Sequence, residues 1–541
     1  MRLYGLSIVC SRVLENLMTF SPLSDEELSA RGMAIAVHAR HRPDQTALIT
    51  TSGLRSWSEL NARANQLARL FRARGLKTGD GVALLAHNAP EFVETWAACQ
   101  RAGLRLTAVN WHQSPELVAY VTANCDARAL VASARFPASA LQASREADQL
   151  RVRLCFAGEI EGFEDFNARL AEQDPADLAD GEPGSVMLYT SGTTGRPKGV
   201  YRATRPVVSQ LTATVNQTAQ WRPESDVALV TGPLYHAAPL NLNLVTPIQM
   251  GVACVLMDKW DAEETLRLIE RHAVTHTHVV PTMMHRLLQL DQTVRTRYDL
   301  SSVRWVLHGA APCPSHVKRE MIEWFGPVLY EYYSATEGGG VFITSPEWLE
   351  RPGSVGRPVP GVEVRVLDPE GNICPPGTEG AVYMKAPATG RFEYYKDGAK
   401  TSNAYRGDWY TLGDMGRFDE QGFLFLTGRT AELIISGGVN IYPVEIDEVI
   451  IRHPAVADAA VIGVPNEDWG EEIKAVVELK SGYSPDETTA ASILAFARDA
   501  LPGFQRPRTV DFVETLPRSA AGKVLRQLVR EPYWAGRTRR I

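Results

Sequence analysis

The chain has 541 residues, 45% of them hydrophobic and 22% charged, with a formal net charge of −7. That length exceeds one ordinary domain and allows a large core, and the mild acidity argues against nucleic acid as a partner. The seven cysteines, Cys10, Cys99, Cys125, Cys155, Cys254, Cys313 and Cys374, are scattered, which excludes a disulfide framework or a clustered zinc site and fits a reducing, cytoplasmic setting.

Residues 1–34 read as an N-terminal extension; the stretch from Met1 to Cys10 has no convincing cleavage site for a signal peptide. Ser58 is expected to cap a helix carrying Leu60, Ala64, Leu67 and Phe71 at helical spacing, with Gly75 as its stop. Val82 to Ala86 reads as a buried strand, Pro90 opens a second helix, and Leu104 to Val109 is strand-like again. The cycle repeats through Glu116 to Asn124 and Ala129 to Ala132, and later strands fall at Val227 to Val230, Ala253 to Met257, Thr277 to Val280 and Val303 to Leu307. Such alternation predicts an α/β fold with parallel-rich sheets covered by helices. From about Gly353 short strands between Gly and Pro turns predict a small β-rich subdomain. A break near Gly428–Arg429 separates a small α+β C-terminal domain, so the expected divisions are 1–34, 35–429 and 430–541. No run of apolar residues is long enough for a membrane-spanning helix.

One segment decides the chemistry: Tyr189-Thr-Ser-Gly-Thr-Thr-Gly-Arg-Pro-Lys-Gly-Val200. The glycines let backbone N–H groups approach a ligand, the hydroxyls can donate to phosphate oxygens, and Lys198 adds positive charge. It is not a Walker A loop, because Pro197 precedes Lys198 and Gly199 follows it. The apolar run before it predicts a strand, so the loop sits at a strand end, where α/β proteins bind ligands.

This loop resembles the signature of the adenylate-forming superfamily: acyl- and aryl-CoA synthetases, adenylation domains and firefly luciferases. Further motifs follow in the family's order from about Ala36 to Arg530. The resemblance implies ATP, Mg2+ and coenzyme A as cofactors, and assigns the nucleotide phosphates to Thr190, Ser191, Gly192, Thr193, Thr194, Gly195 and Lys198. Glu331-Tyr-Tyr-Ser-Ala-Thr-Glu337 resembles the Tyr-Gly-x-Thr-Glu motif, with Ser334 where the family has Gly. It implies Tyr332 and Tyr333 beside adenine, Thr336 on the AMP phosphate, and Glu337 with Thr194 for Mg2+. Tyr410-Thr-Leu-Gly-Asp414 implies Asp414 on the ribose hydroxyls, with Arg429 nearby.

Ile434-Ile-Ser-Gly-Gly-Val-Asn-Ile441 resembles the loop lining the CoA thiol approach, implying Gly437 and Gly438 beside the pantetheine arm. Pro517-Arg-Ser-Ala-Ala-Gly-Lys523 resembles the motif carrying the adenylation lysine, here Lys523. At the family's hinge, which usually carries Asp or Lys, this chain has Ala431; the resemblance implies a C-terminal domain that swings about it. Leu234-Tyr-His-Ala-Ala-Pro239 implies His236 as gate of the acid tunnel. Val280-Pro-Thr-Met-Met284 and the stretch with Gly309, Ala310 and Ala311 are expected to line the acyl and adenine pockets.

Those pocket stretches contain no Arg or Lys, which favours a hydrophobic monocarboxylic acid, fatty or bulky alicyclic. The implied enzyme is an acid–CoA ligase whose partners are a small carboxylic acid and CoA, with a homodimer left open. The competing readings are an enzyme loading a carrier protein's phosphopantetheine, a luciferase-like oxidase, and an inactive acyl-nucleotide binder.

Overall fold

The computed structural model describes residues 23–190, 196–204, 209–429, 432–436, 439–519 and 522–535. The chain divides into two compact units. The first comprises Met1–Arg205, Gln220–Trp260 and Glu393–Lys396, and the second Pro206–Ala219, Asp261–Phe392 and Asp397–Ile541.

In the first unit a six-stranded sheet runs in the order Glu164–Asp165, Val152–Phe156, Ala127–Ser133, Gly81–Leu85, Arg105–Ala108, Ser185–Val186, and every pairing is parallel. The strands Gly81–Leu85 and Arg105–Ala108 are buried at every position, as strands covered on both faces must be. Helices Pro90–Arg101, Pro115–Asn124 and Pro137–Glu146 each open on proline, whose missing N–H costs nothing in the first turn. Strand Ala253–Leu256 lies between Val227–Val230 and Thr46–Thr50, parallel to both. Within the stretch read as an extension, helix Asp25–Ala30 carries a capping box, and Leu28 and Met33 are fully buried.

The helix expected to start after Ser58 starts two residues earlier. It spans Trp57–Ala73, and its cap is Ser56, whose side chain accepts from the Glu59 N–H while Glu59 reaches back to the Ser56 N–H. The reciprocal Ser-x-x-Glu spacing satisfies two end groups at once. The Ser58 side chain meets the Ser56 hydroxyl at 3.0 Å, and its N–H donates to the Pro43 carbonyl.

In the second unit His276–Val279, Trp305–His308 and Leu329–Ala335 are parallel neighbours. The β-rich stretch expected after Gly353 is present, and its strands extend the same sheet by antiparallel pairing. Gly338–Thr344, Ser354–Pro358, Leu424–Arg429, Trp409–Phe418, Gly380–Lys385 and Val364–Leu367 follow in order.

The C-terminal segment of this unit is built on Val456–Asn466 paired antiparallel with Gly470–Leu479. Ala459 and Val461 enter one apolar cluster with Ile446, Ile450 and Ile493, whereas Ala460, Ile462 and Val464 enter another with Leu516 and Val529. Strand alternation therefore sends both faces into a core, one under helices Pro443–Ile450 and Glu487–Ala500 and the other under Arg526–Trp534. This is why residues 459–464 read as a continuous apolar run. Among the described residues no helix is long and apolar enough to cross a membrane.

Replacing the cap tests its placement. Ser56→Ala should weaken the start of helix Trp57–Ala73 by about 1 kcal/mol, speeding hydrogen exchange of its first-turn amides about fivefold, whereas Ser58→Ala should change it by much less.

Candidate active site

The signature segment is flanked by two antiparallel strands. Thr190 lies opposite Lys198 where Leu188–Thr190 pairs with Lys198–Tyr201, and Glu393–Tyr394 adds a third strand. Ser191, Gly192, Thr193, Thr194 and Gly195 lie outside the described residues. Lys198 Nζ stands 5.1 Å from the centre of the Tyr394 ring. The Tyr189 hydroxyl donates to Asn124 at 2.5 Å. A Cβ on Gly199 would meet the Tyr189 ring at 3.1 Å, so glycine lets the two strands close.

In the same unit His236 sits in an aromatic cluster. Its ring centroid is 4.6 Å from that of Tyr235, Trp111 stacks on His112 at 3.7 Å and on Phe136 at 4.9 Å, and Trp111 meets Tyr235 edge-on. His236 Nε2 and the Tyr235 hydroxyl are buried with no hydrogen-bond partner among the described residues, a state uncommon in native proteins. Burial, with a smaller contribution from His112, holds the His236 pKa down to about 4, so the imidazole is neutral near pH 7. The chain then enters a π-helix, Pro239–Val245, closed by the Thr246 N–H and hydroxyl on the Asn241 carbonyl. Such bulges gather at functional sites.

In the second unit the stretches 309–311 and 331–337 lie at the ends of parallel strands, as expected for ligand-binding α/β sheets, whereas Asp414 and Arg429 lie on an antiparallel pair. Gly309 follows Trp305–His308, and a Cβ there would fall 2.6 Å from the Tyr332 carbonyl and 2.7 Å from its ring. Ala310, exposed, is held at φ +70°, a left-handed conformation that costs a non-glycine residue about 1 kcal/mol; Ala311 follows it, half-buried. Strand alternation separates the two tyrosines. Tyr332 is buried with its hydroxyl 3.2 Å from His278 Nε2, whereas the Tyr333 hydroxyl donates to Asp414 at 2.6 Å. Arg429, opposite Asp414 across the strand pair, donates through Nε to the other carboxylate oxygen at 2.9 Å.

Thr336 and Glu337 form the tip between Ala335 and Gly338, which pair across the hairpin. Ser334, at a bulge, donates from its hydroxyl to the Gly338 carbonyl at 3.1 Å, so the serine that replaces the family's glycine ties the hairpin neck. Gly338 has φ +138°, and a Cβ on it would lie 2.6 Å from the Tyr410 hydroxyl. Two motifs far apart in sequence thus meet where only glycine fits.

Lys523 belongs to a turn in which the Ser519 N–H donates to the Lys523 carbonyl at 2.7 Å and Arg518 bridges Val524. Its pKa is lowered, first by burial and then by Arg429, against the opposing pull of Glu432 and Asp414. Hydrogen bonds join Tyr333, Asp414 and Arg429, and Lys523 lies within electrostatic reach of Asp414 and Arg429. Glu432 pairs with Arg526 at 3.2 Å, and Arg526 also holds Asp447 at 2.6 Å. Ala431, Gly437 and Gly438 lie outside the described residues.

Two features escaped the sequence reading. Lys318 and Glu331, both buried, pair at 2.6 Å beneath the Tyr332–Tyr333 strand; no periodicity links a helix lysine to a carboxylate on the next strand. The other is the Tyr333–Asp414 bond, which the two motifs as separate strings do not announce.

The AMP-binding enzyme profile matches residues 35–395, and that of the AMP-binding enzyme C-terminal domain residues 445–523. A fatty acid–[acyl-carrier-protein] ligase of Streptomyces coeruleorubidus is 29% identical, over 96% of this chain and 99% of that protein. An indoleacetate–CoA ligase of Aromatoleum aromaticum is 30% identical, over 91% of this chain and 96% of that one. A crystal structure of the anthranilate CoA ligase AuaEII with anthranoyl-AMP superposes with a TM-score of 0.82 at 25% identity, over 94% of this chain and 99% of that one. The chain belongs to the AMP-binding enzyme family, whose members form adenylates. Within that family it falls in the acyl-CoA synthetase branch, the AMP-forming acid–CoA ligases, which use ATP and CoA.

Adding a methyl where the two motifs meet has a defined outcome. Gly338→Ala should cost about 1–3 kcal/mol through strain and collision. Tyr410→Phe, which removes the oxygen in the way, should recover part of the loss in thermal melting of the double variant.

Proposed function

We propose that this ligase activates a hydrophobic monocarboxylic acid, fatty or bulky alicyclic, and transfers it to CoA in the cytoplasm. The observation that carries the acid class is the neutral, half-buried His236 beside Tyr235, which in turn meets Trp111, itself stacked on Phe136. A neutral imidazole among aromatic rings suits an apolar acyl group better than a second carboxylate. Fatty acid and indoleacetate, the acids named for the two relatives, are of that kind.

In this reading 35–429 is the adenylation domain, 430–541 the C-terminal domain, and 1–34 an extension. Thr190 to Gly195 and Lys198 hold the triphosphate, and Gly309 to Ala311 with Tyr332 and Tyr333 hold adenine. Asp414 takes the ribose hydroxyls. Each of its oxygens accepts one bond, from Tyr333 or Arg429, and a carboxylate has about four acceptor positions, so capacity remains for both hydroxyls. Mg2+ would be held by Glu337 with Thr194. One or two protein oxygens suit an ion whose other ligands are water and phosphate, and when bound it neutralises phosphate charge.

The carboxylate of the acid attacks the α-phosphorus, forming a C–O–P linkage and expelling pyrophosphate. Thr336 and Lys523 meet the charge that builds on the phosphate oxygens and on the attacking carboxylate. The CoA thiolate then attacks the acyl carbon past Gly437 and Gly438, and AMP leaves. A second reading, transfer to a carrier protein's phosphopantetheine, is favoured by the likeness to the acyl-carrier-protein ligase.

A pyrophosphate-release screen over fatty, aryl, steroid and dicarboxylic acids, with CoA or phosphopantetheinylated carrier protein as acceptor, tests both readings. Turnover is expected with fatty or alicyclic acids and CoA. Preference for a dicarboxylic acid would overturn the acid class, and turnover with carrier protein alone would favour the second reading.

Lys523→Ala should cripple acyl-adenylate formation while thioester formation from supplied acyl-AMP survives; equal loss of both would count against the role. Because the lysine must be charged and its pKa is lowered, adenylation should fall as pH rises through a value below the roughly 10.4 of an ordinary lysine. Lys523→Arg should move that alkaline limb upward in a pH–rate profile.

A further inference from the structure

Helix Pro281–Leu288 carries two side chains whose bonding the adenylation chemistry leaves unexplained. Thr282 Oγ1 donates to the Gly522 carbonyl at 3.0 Å, and His285 Nε2 lies 2.8 Å from the Ala457 carbonyl. Three residues apart, the two share one face of the helix, while Met284 and Leu287 are buried on the side that anchors it.

The acceptor at Gly522 belongs to a peptide group that matters. Its carbonyl oxygen and the Lys523 N–H lie in one rigid plane. Thr282 donates to the oxygen, and the N–H donates to Ser519 Oγ at 3.2 Å. Both polar atoms of the peptide are therefore clamped, which fixes the direction in which Lys523 leaves the backbone. Arg518 joins the two docking points. It reaches the Gly522 carbonyl at 3.4 Å and Asp458, next to Ala457, at 2.5 Å. Gly522 itself is at φ +78°, and a Cβ on it would lie 3.4 Å from the Thr282 side chain.

We propose that Thr282, with His285, is a positioning residue for adenylation, docking the Lys523 turn so that its ammonium faces the Asp414–Arg429 end of the site. The proposal rests on the reading that Lys523 serves adenylation. On the expectation that the C-terminal segment swings between the two half-reactions, a movement that lifts Gly522 and Ala457 off helix Pro281–Leu288 breaks both bonds, which assigns the dock to adenylation.

The test separates the half-reactions in the full-length enzyme. Acid-dependent pyrophosphate release reports adenylation, and thioester formation from added acyl-AMP reports the second step and serves as the folding control. Thr282→Val keeps the shape and removes the hydroxyl; it should slow adenylation about tenfold, the loss of one well-placed hydrogen bond, with thioester formation unchanged. Thr282→Ser, which keeps the donor, should restore most of the rate. His285→Leu should act in the same direction and His285→Gln, which keeps a donor, should act less. Equal loss of both steps in Thr282→Val, no loss in either, or no rescue by serine overturns the proposal. Loss of adenylation in Lys523→Ala alongside an unaffected Thr282→Val overturns the dock and leaves the lysine's role standing. An unimpaired Lys523→Ala overturns both.

Discussion

A lysine charge drawn partly out of water needs carboxylates nearby, and Lys523 has them in Asp414 and Glu432, set against the competing cation of Arg429. The balance is a compromise. Burial and Arg429 push toward the neutral amine, the two acids push back, and the outcome is an ammonium easier to deprotonate than one in solution. The rest of the second unit serves this arrangement. The strand pair Trp409–Phe418 and Leu424–Arg429 sets Asp414 opposite Arg429, Tyr333 reaches across to the same carboxylate, and Arg526 ties Glu432 to the C-terminal body.

The close approaches that hold this geometry are made at backbone level. Gly309 lets the loop after its strand lie against the Tyr332 peptide, and Gly338 lets the Tyr410 hydroxyl rest on the neck of the hairpin. Each contact replaces a side chain with another element's atoms, so the motif residues are fixed by packing at both ends, as preorganised electrostatic stabilisation requires.

Much of this was legible in the sequence, because the motifs are local strings with local geometry. The parallel strands showed as apolar runs, and the phosphate-type loop as glycine and hydroxyl between a strand and a basic pair. Relations between strings were harder to read. Ser56 outranks Ser58 as the helix cap because Glu59 lies three residues after it, a two-body condition that helical spacing of apolar residues does not encode. Tyr332 and Tyr333 look alike as a pair, yet alternation sends one to His278 and the other to Asp414. Lys318 with Glu331, and Thr282 with Gly522, are pairings of the folded chain alone.

The contacts from helix Pro281–Leu288 end on main-chain carbonyls, at Gly522 and Ala457. A dock that reads carbonyls asks little of side-chain identity on the far side beyond the glycine at 522. The C-terminal segment can therefore drift in composition, or be grafted from a cousin, without losing its landing points so long as its path is kept. The burden of heredity falls on the donor side, where a hydroxyl and an imidazole have to survive.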